Sequence, residues 1–366
     1  MNGKKRADSI FLFIVLLLSL GGFFLFLSAS LGLLAKDGAR FGAIAATQGV
    51  WLVVGLGAFF LSSRVHYRFW KRHAALFLFA ATLLTAAVFI PFLGFEHGGA
   101  RRWISLFGFS FQPAEFLKLA VIVYFAAWFS RAAEKIKTVK YGAAPFIAVL
   151  GIAAAVLLTQ PDTGTFLVVG ASSFLIYFLA GGKWRHMLAL VLIGTAFAFV
   201  FVEAKPYVKE RIAVYLNPDA DPLGSGWQVK QSEIAIGSGG LFGRGFGKSV
   251  QKFTFLPEPI GDSIFAVAAE EFGFVGGIAI IFAFFLFFLR GMRIANRAPD
   301  RFGRLLASGI VILITFQAFL NIGTMLGAVP LTGLPLPFIS KGGTALLVAL
   351  TGAGIVLNIS RYAVRR

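Results

Sequence analysis

The chain of 366 residues is 58% hydrophobic and only 14% charged, with a mean hydropathy of +0.83. Because soluble domains carry about 25% charged residues, this composition excludes an ordinary soluble domain and indicates an integral membrane protein. Cysteine is absent, which excludes disulfide bonds, thiolate nucleophiles and cysteine-ligated metals, and the four histidines lack metal-ligand spacing.

Apolar segments long enough to cross roughly 30 Å of hydrocarbon recur along the sequence. Lipid cannot satisfy unpaired backbone groups, so we expect each segment to be a helix in one bundle. The predicted fold is an all-α integral membrane protein, a single membrane domain over 1–366 with ten transmembrane helices and a large extracytoplasmic loop, about 203–262, between helices 7 and 8. The predicted segments are 10–33, 43–62, 74–93, 113–130, 143–159, 163–180, 186–202, 263–290, 303–329 and 342–361.

Lysine and arginine are distributed unequally between the two predicted membrane faces. With the N-terminus inside, 21 of them fall on the cytoplasmic side, in 4–6, 64–72, 131–140, 183–185, 290–304 and 361–366. The short outer loops hold five: Lys36, Arg40, Arg101, Arg102 and Lys341. This bias predicts that both termini are cytoplasmic and that the first segment is an uncleaved span. Most of the net charge of +18 then faces anionic lipid, which disfavours a nucleic-acid partner.

The fourth segment carries charge at its outer end and within its apolar stretch. Arg101 and Arg102 precede it, and arginine forks suit phosphate recognition, although an interfacial anchor explains them nearly as well. Glu115 and Lys118 lie one turn apart, so we expect an ion pair between them. A charge inside an apolar span is a candidate for function, with a structural ion pair as the alternative.

The outer loop 203–262 holds seven lysines and arginines, among them Arg211 and Arg244, and loops of this length are uncommon unless they are functional. We expect short helices in it, packed on the outer face of the bundle. Its glycine-rich run, 237–247, fails the dinucleotide and P-loop patterns, because both require glycine at the position of Phe242. The run is then either a tightly turned loop or a mobile lid whose amides and Arg244 approach a phosphate.

The polar stretch 257–265 joins this loop to the eighth segment. Asp262 is the best candidate for a general base in the sequence, with Glu258 second. The alternative is that Asp262 only caps the following helix, a role that favours its ionised form. Partial burial and the carboxylates of Glu258, Glu270 and Glu271 act in the opposite direction and raise its pKa.

Seven segments, matching in order, resemble the SEDS family, which comprises the FtsW, RodA and SpoVE proteins of bacterial division, elongation and sporulation. The resemblance covers most of the chain. It implies a ten-span glycosyltransferase of the bacterial cytoplasmic membrane that polymerises lipid II into peptidoglycan strands. The segments are 101–103, 112–118, 160–165, 221–228, 231–247, 256–273 and 336–343.

The resemblance also implies partners and site residues. The partner is a class B penicillin-binding protein, which crosslinks the strands, together with other membrane proteins of division or elongation. Lipid II and glycan linked to undecaprenyl diphosphate are the substrates. By motif order, the family's essential aspartate falls on Asp262, and its conserved arginine, glutamate and lysine fall on Arg102, Glu115 and Lys118.

The chain departs from the family pattern in three places. The usual His-Thr before the aspartate is Ile260-Gly261, and Ser263 follows it, a variant that favours FtsW-like members and a role in division. Glu233 stands where an apolar residue is usual. Lys341 replaces the usual tyrosine, among small residues that either border a headgroup pocket or permit close helix packing, and it adds a cation for a diphosphate.

The implied reaction is attack of the acceptor's GlcNAc 4-hydroxyl on the donor's anomeric carbon in one inverting step. Asp262 takes the hydroxyl proton, while Arg102, Lys118 and further cations stabilise the leaving diphosphate. A divalent cation, Mg²⁺ or Mn²⁺, is compatible with this step, although no cluster of ligands is dedicated to one. The predicted substrate-binding residues are Arg101, Arg102, Glu115, Lys118, Arg211, Arg244, Glu258 and Lys341.

Two other functions stay open at the level of the sequence. One is a lipid II flippase, in which the intramembrane ion pair lines the path of the headgroup. The other is a non-enzymatic scaffold whose outer loop activates a partner synthase. Reconstitution with lipid II separates the three.

Overall fold

The computed structural model consists largely of helices, and it describes residues 6–34, 38–97, 100–106, 109–217, 221 and 224–364. Several basic residues of the orientation argument lie outside the described residues, namely Lys4, Lys5, Lys36, Arg365 and Arg366, as do Pro222 and Leu223 of one family segment. Thirteen α-helices form within the described residues. They are α1 (Ser9–Leu34), α2 (Gly38–Arg64), α3 (Arg68–Ala86), α4 (Pro113–Ala132), α5 (Ala143–Leu157), α6 (Thr163–Leu179), α7 (Trp184–Ala204), α8 (Pro206–Leu216), α9 (Ser225–Ser238), α10 (Gln251–Thr254), α11 (Ile264–Asn296), α12 (Arg301–Met325) and α13 (Gly343–Ser360).

The ten predicted apolar segments correspond to α1–α7 and α11–α13, which confirms an integral membrane protein built from helices. Eight of these helices are long and apolar enough to cross a membrane, whereas α5 and α6 have only 15 and 17 residues. At 1.5 Å per residue the two are roughly 22–26 Å long, less than the usual hydrocarbon thickness. The count of ten spans therefore stays a prediction. The predicted third segment, 74–93, is wrong at both ends, because the chain leaves α3 after Ala86 and turns into a sheet.

Helix α12 lies at the centre of the bundle and α7 lies at its edge. In the most apolar 18-residue stretch of α12, 83% of the residues are buried, compared with 6% in α7. The central helix packs against α4, α6, α11 and α13, while α2 packs along α13. That last contact requires Gly354, since a Cβ atom there would lie 2.3 Å from the backbone oxygen of Phe59. Small residues allow membrane helices to approach this closely.

A three-stranded antiparallel sheet between α3 and α4 is the element that the all-α prediction missed. Its strands, in order β1-β2-β3, are β1 (Gly94–His97), β2 (Ala100–Leu106) and β3 (Phe109–Phe111). Along β2, Ala100 and Ile104 are buried and Arg101 is exposed. The register between β1 and β2 shifts at this point, which makes Arg102 the extra residue of a bulge, partly buried beside the exposed Arg101.

The long loop contains three short helices, α8, α9 and α10, as predicted. Helix α9 packs against α11 and α12, and α10 packs against α1. We call the end of the bundle that carries these helices the loop face. The glycine-rich run connects α9 to α10 across this face.

Helix α11 is interrupted at Gly273, whose φ of 68° and ψ of −164° are accessible essentially to glycine alone. A Cβ atom at this position would also lie 2.3 Å from the backbone nitrogen of Gly243. The glycine-rich run supplies the hydrogen bonds that the interrupted helix lacks: Arg244 N donates to Glu270 O (3.0 Å), Gly245 N to Glu271 O (2.9 Å), Phe274 N to Gly240 O (2.8 Å) and Val275 N to Leu241 O (3.1 Å). These engaged amides contradict the hypothesis of a mobile lid that offers them to a phosphate.

Candidate active site

Asp262 lies on the loop face, where the chain enters α11. Ser263 occupies the N-cap position of that helix, so the prediction that Asp262 caps it is wrong. Instead, Gln228 on α9 donates from its side-chain nitrogen to Asp262 Oδ1 at 3.1 Å. One carboxylate oxygen of Asp262 is therefore fixed by a neighbouring helix rather than by the helix that follows it.

The backbone around Asp262 is held by a tight turn and by α12. Gly261 N and Ser263 N both donate to the backbone oxygen of Glu258, at 2.9 and 3.2 Å. Asn321 on α12 donates from Nδ2 to the backbone oxygen of Asp262 at 2.8 Å. The position of the aspartate is thus defined at its main chain and at its side chain.

Burial raises the pKa of the Asp262 carboxyl from 3.8 to about 6. The hydrogen bond from Gln228 and the charge of Arg211 lower it, and the charge of Glu258 raises it further. Asp262 keeps partial exposure to solvent although protein atoms surround its carboxyl group. The surrounding atoms raise the pKa, while the remaining solvent exposure leaves the carboxyl accessible to a substrate. A carboxyl with this pKa is ionised at pH 7 and still basic enough to accept a proton.

The predicted contribution of Glu270 and Glu271 to this pKa is wrong. Both side chains are fully buried and engaged elsewhere. Ser249 Oγ and Val250 N donate to the carboxylate of Glu270, at 2.5 and 2.9 Å. Lys252 Nζ pairs with Glu271 Oε1 at 2.6 Å.

Two arginines form a chain of charge interactions with Asp262: Arg211 interacts with Asp262, and Arg102 interacts with Arg211. Arg102 donates from Nε to the backbone oxygen of Gln160 at 3.0 Å, and from its terminal nitrogen to the backbone oxygen of Pro161. Arg211 projects from α8, and its pKa is lowered first by burial and then by the charge of Arg102. Asp262 opposes this shift. The two cations thus share one region with the carboxylate, as an anion-binding site requires.

Glu115 and Lys118 form the predicted ion pair, with Nζ and Oε2 2.8 Å apart and both side chains nearly inaccessible. Lys118 also donates to Gln317 Oε1 on α12 at 2.6 Å. A cavity of about 20 Å³ lies beside the pair; Glu115, Lys118 and Gln317 line it together with mostly apolar residues such as Leu119 and Ile310. That volume is sufficient for one water molecule.

A series of hydrogen bonds on α12 joins this pair to Asp262. Gln317 Nε2 donates to the backbone oxygen of Pro335 at 2.9 Å. One helical turn away, Asn321 Nδ2 donates both to the backbone oxygen of Leu334 and to that of Asp262, each at 2.8 Å. Sequence reasoning missed both polar residues, although a glutamine and an asparagine four residues apart in an apolar helix are themselves a signal.

The other predicted binding residues divide into two groups. Glu258 and Lys341 are near Asp262: Glu258 is exposed within the same turn, and Lys341 N donates to the backbone oxygen of Ile260 at 2.7 Å. Arg101 and Arg244 are engaged with other acids. Arg101 Nε lies 4.0 Å from Glu96 Oε2 on the outer side of the sheet, and Arg244 Nε lies 3.5 Å from Glu270 Oε1.

The described residues contain no group of three histidine, aspartate or glutamate side chains that could hold a metal ion. The acids whose charges act on Arg211 are Asp162 and Asp262. Asp162 is occupied, because it accepts hydrogen bonds from Thr165 N and from Gln112 Nε2, both at 3.2 Å. A divalent cation at this site therefore stays a prediction.

Residues 8–365 match the family FTSW_RODA_SPOVE, described as "Cell cycle protein". Among curated proteins, a "Probable peptidoglycan glycosyltransferase FtsW" of Geobacter metallireducens is 40% identical over 97% of this chain and 95% of its own length. "Stage V sporulation protein E" of Bacillus subtilis is 39% identical over 99% of both chains.

Solved structures agree with these relatives. A chain from a structure described as "Structural coordination of polymerization and crosslinking by a peptidoglycan synthase complex" superposes with a TM-score of 0.81 at 30% identity, over 97% of this chain and 98% of that one. The Thermus thermophilus rod shape determining protein RodA gives a TM-score of 0.72 at 29% identity, over 99% of both chains.

Proposed function

Because the chain belongs to the FtsW, RodA and SpoVE family of cell cycle proteins, we propose that it is a peptidoglycan glycosyltransferase that polymerises lipid II. One observation carries the proposal at the level of chemistry. The carboxylate of Asp262, which is partly exposed to solvent and has a pKa of about 6, lies on the loop face together with Arg102 and Arg211. A base beside paired cations is what glycosyl transfer from a diphosphate requires.

The proposed step begins when the 4-hydroxyl oxygen of lipid II attacks the anomeric carbon of the growing strand. The bond between that carbon and the diphosphate oxygen breaks, and the leaving group takes the electron pair. Asp262 receives the hydroxyl proton. Arg211 and Arg102 stabilise the diphosphate, and Lys341 and Glu258 border the same region. The reaction inverts the anomeric centre without a covalent intermediate.

We assign a bracing role to the pair of Glu115 and Lys118. Both are buried, and Lys118 is bonded to Gln317, so direct contact with a diphosphate would require the bundle to open. The hydrogen bonds through α12 provide a route by which the pair supports the main chain at Asp262. Arg101 and Arg244 are the weakest candidates for substrate binding, because each already faces an acid.

A divalent cation enters this proposal as part of the substrate. Mg²⁺ or Mn²⁺ would arrive on the diphosphate, with Asp262 and Glu258 as the nearest acids. The measurement is polymerisation after chelation and stepwise return of either ion. Activity that is indifferent to chelation would remove the cation from the proposal.

We propose that the loop face is extracytoplasmic in a bacterial cytoplasmic membrane, with both termini inside. The charge bias of the sequence supports this orientation. We further propose a class B penicillin-binding protein as partner, since one similar structure is described as a synthase complex that polymerises and crosslinks. The FtsW-named relatives favour a role in division.

The test is reconstitution of the purified protein with its penicillin-binding partner and lipid II, with glycan products resolved by gel. Asp262→Asn is expected to abolish polymerisation, and Glu134→Gln, an exposed acid at the opposite end of the bundle, should leave it unchanged. Full activity of Asp262→Asn would show that another group is the base.

The same preparation separates the alternatives. If wild type never forms glycan but moves lipid II across liposomes, the flippase is correct. If glycan forms only after a separate polymerase is added, and Asp262→Asn stimulates that polymerase as well as wild type does, the protein is a scaffold.

A further inference from the structure

Gln228 contacts Asp262 directly, yet the reaction as described gives it no role. It lies in the first turn of α9, partly buried, with its side-chain nitrogen 3.1 Å from Asp262 Oδ1 and 3.0 Å from Ser263 Oγ. An amide nitrogen can only donate, so the contact favours a carboxylate that has lost its proton. It also distinguishes the two oxygens of Asp262, because the amide of Gln228 bonds to Oδ1.

The helix that carries Gln228 is itself fixed. Ser232 Oγ donates to the backbone oxygen of Gln228 at 2.8 Å and lies 3.4 Å from Met325 Sδ on α12. On the other side, Trp227 Nε1 donates to the backbone oxygen of Phe255 at 2.8 Å, in the segment that leads to Asp262. The amide is therefore presented by a braced helix rather than by a free side chain.

The charged groups near Asp262 change its pKa but do not determine the orientation of its carboxylate. Glu258, in the same turn, raises the pKa of Asp262, and Arg211, from α8, lowers it. Arg102 and Asp162 act on Arg211 in turn. The groups presented by α12 and by the segment before α13 reach this turn through Asn321 and the backbone of Lys341, neither of which bonds to the carboxylate.

We propose that Gln228 is the positioning residue for the general base: its amide holds Oδ1 of Asp262, turns Oδ2 toward the acceptor hydroxyl, and extends catalysis to lower pH by favouring the ionised carboxylate. This inference rests on the proposed glycosyltransferase function. Gln228 contacts no reacting atom itself, so its effect is exerted through Asp262 alone.

The test compares Gln228→Met with Gln231→Met in the complex with the penicillin-binding partner and lipid II. Both replacements remove an amide of similar size from the same helix. For Gln228→Met we expect the acid limb of kcat, near pH 6 in the wild type, to move up by about one pH unit. The expected loss is about fivefold at pH 6, approaches roughly tenfold below pH 5 and is small at pH 8.5. KM for lipid II should stay within about twofold. Gln231→Met should leave the position of the limb unchanged.

An equal loss at every pH would overturn the proposal, because a structural role alone lowers activity uniformly. A second measurement does not depend on activity. The unfolding midpoint in detergent, taken as the difference between wild type and Asp262→Asn, should change with pH near 6, and in the Gln228→Met background near 7. If that shift appears while no variant polymerises lipid II, the positioning contact stands and the proposed function fails. If Gln228→Met does not fold, Gln228→Glu replaces it, and a limb that stays in place would again refute the inference.

Discussion

Within the part of the chain that the structure describes, two lysine–glutamate pairs are buried, and they differ in how they are built. Glu115 and Lys118 belong to one helix and lie three residues apart. Lys252 comes from the short helix α10 and Glu271 from α11, and Ser28 on α1 bonds to both partners. The first pair connects inward to α12 and then to Asp262. The second pair fastens the loop to the bundle.

The difference teaches that similar ion pairs serve different ends according to what surrounds them. Glu271 accepts from Lys252 at 2.6 Å and from Ser28 Oγ at 2.5 Å, and Gly247 N donates to Ser28 Oγ at 3.1 Å. This pair is saturated by protein atoms. Glu115 and Lys118 have one further partner, Gln317, and a cavity large enough for water. We therefore expect the loop pair to matter chiefly for stability and the α4 pair chiefly for the site.

The largest expected effect is on the loop pair. Lys252→Met leaves Glu271 as an uncompensated buried charge, so the free energy of unfolding should fall by about 3–5 kcal/mol. The measurement is unfolding in detergent, with limited proteolysis of the loop as a second probe. Lys248→Met, an exposed lysine of the same loop, is the control and should change little. Equal stability of the two variants would remove the distinction between the pairs.

A second change acts on the same attachment without touching charge. Gly273→Ala places a side chain at a φ of 68° and against Gly243, so we expect a loss of about 1–3 kcal/mol and a loosened loop. Gly237→Ala is the matched control, since a Cβ atom there meets no atom within 4 Å. Hydrogen exchange over 239–254 should rise only in the first variant. Unchanged exchange there would mean that the loop does not depend on the interrupted helix.

The α4 pair should lose less stability. In Lys118→Met the carboxyl of Glu115 loses its cation but lies next to a cavity with room for one water molecule, so the expected loss is about 1–3 kcal/mol, together with a strong fall in polymerisation. Lys137→Met breaks an exposed pair of the same spacing and should cost about 0–1 kcal/mol. A Lys118 variant that is as unstable as Lys252→Met, or fully active, would contradict the assigned roles.

The smallest effect concerns Asp262, which, among the described residues, forms no ion pair within 4.0 Å. Its folded pKa of about 6 exceeds the ordinary 3.8, so it stabilises the protein below pH 3.8 and this contribution is lost as pH rises through 6. Asp262→Asn should therefore be more stable than wild type at pH 8, by about 1–2 kcal/mol after allowance for partial exposure, and nearly equal at pH 4. A variant that is less stable at pH 8 would show that the carboxylate is well compensated.

The same two pairs explain what the sequence could predict. The ion pair of Glu115 and Lys118 can be predicted because helical spacing alone brings the two residues together. The helices can be predicted because a lipid bilayer requires long apolar segments. Lys252 and Glu271 are 19 residues apart, and their contact depends on how a loop lies against an interrupted helix. Gln228 and Asp262 are 34 residues apart for the same reason. The sheet 94–111 was missed because its strands are short and mixed in polarity.

The interruption of α11 at Gly273 has a consequence for how the protein enters the membrane. Residues 274–296 are apolar enough to enter the membrane on their own, whereas the helical turn before them carries the carboxylates of Glu270 and Glu271. The partners of those carboxylates, Arg244 and Lys252, precede them in the chain. We expect the final assembly step to be a docking event after insertion, in which loop and helix complete one another. The boundary of this span is therefore set by folding rather than by hydropathy.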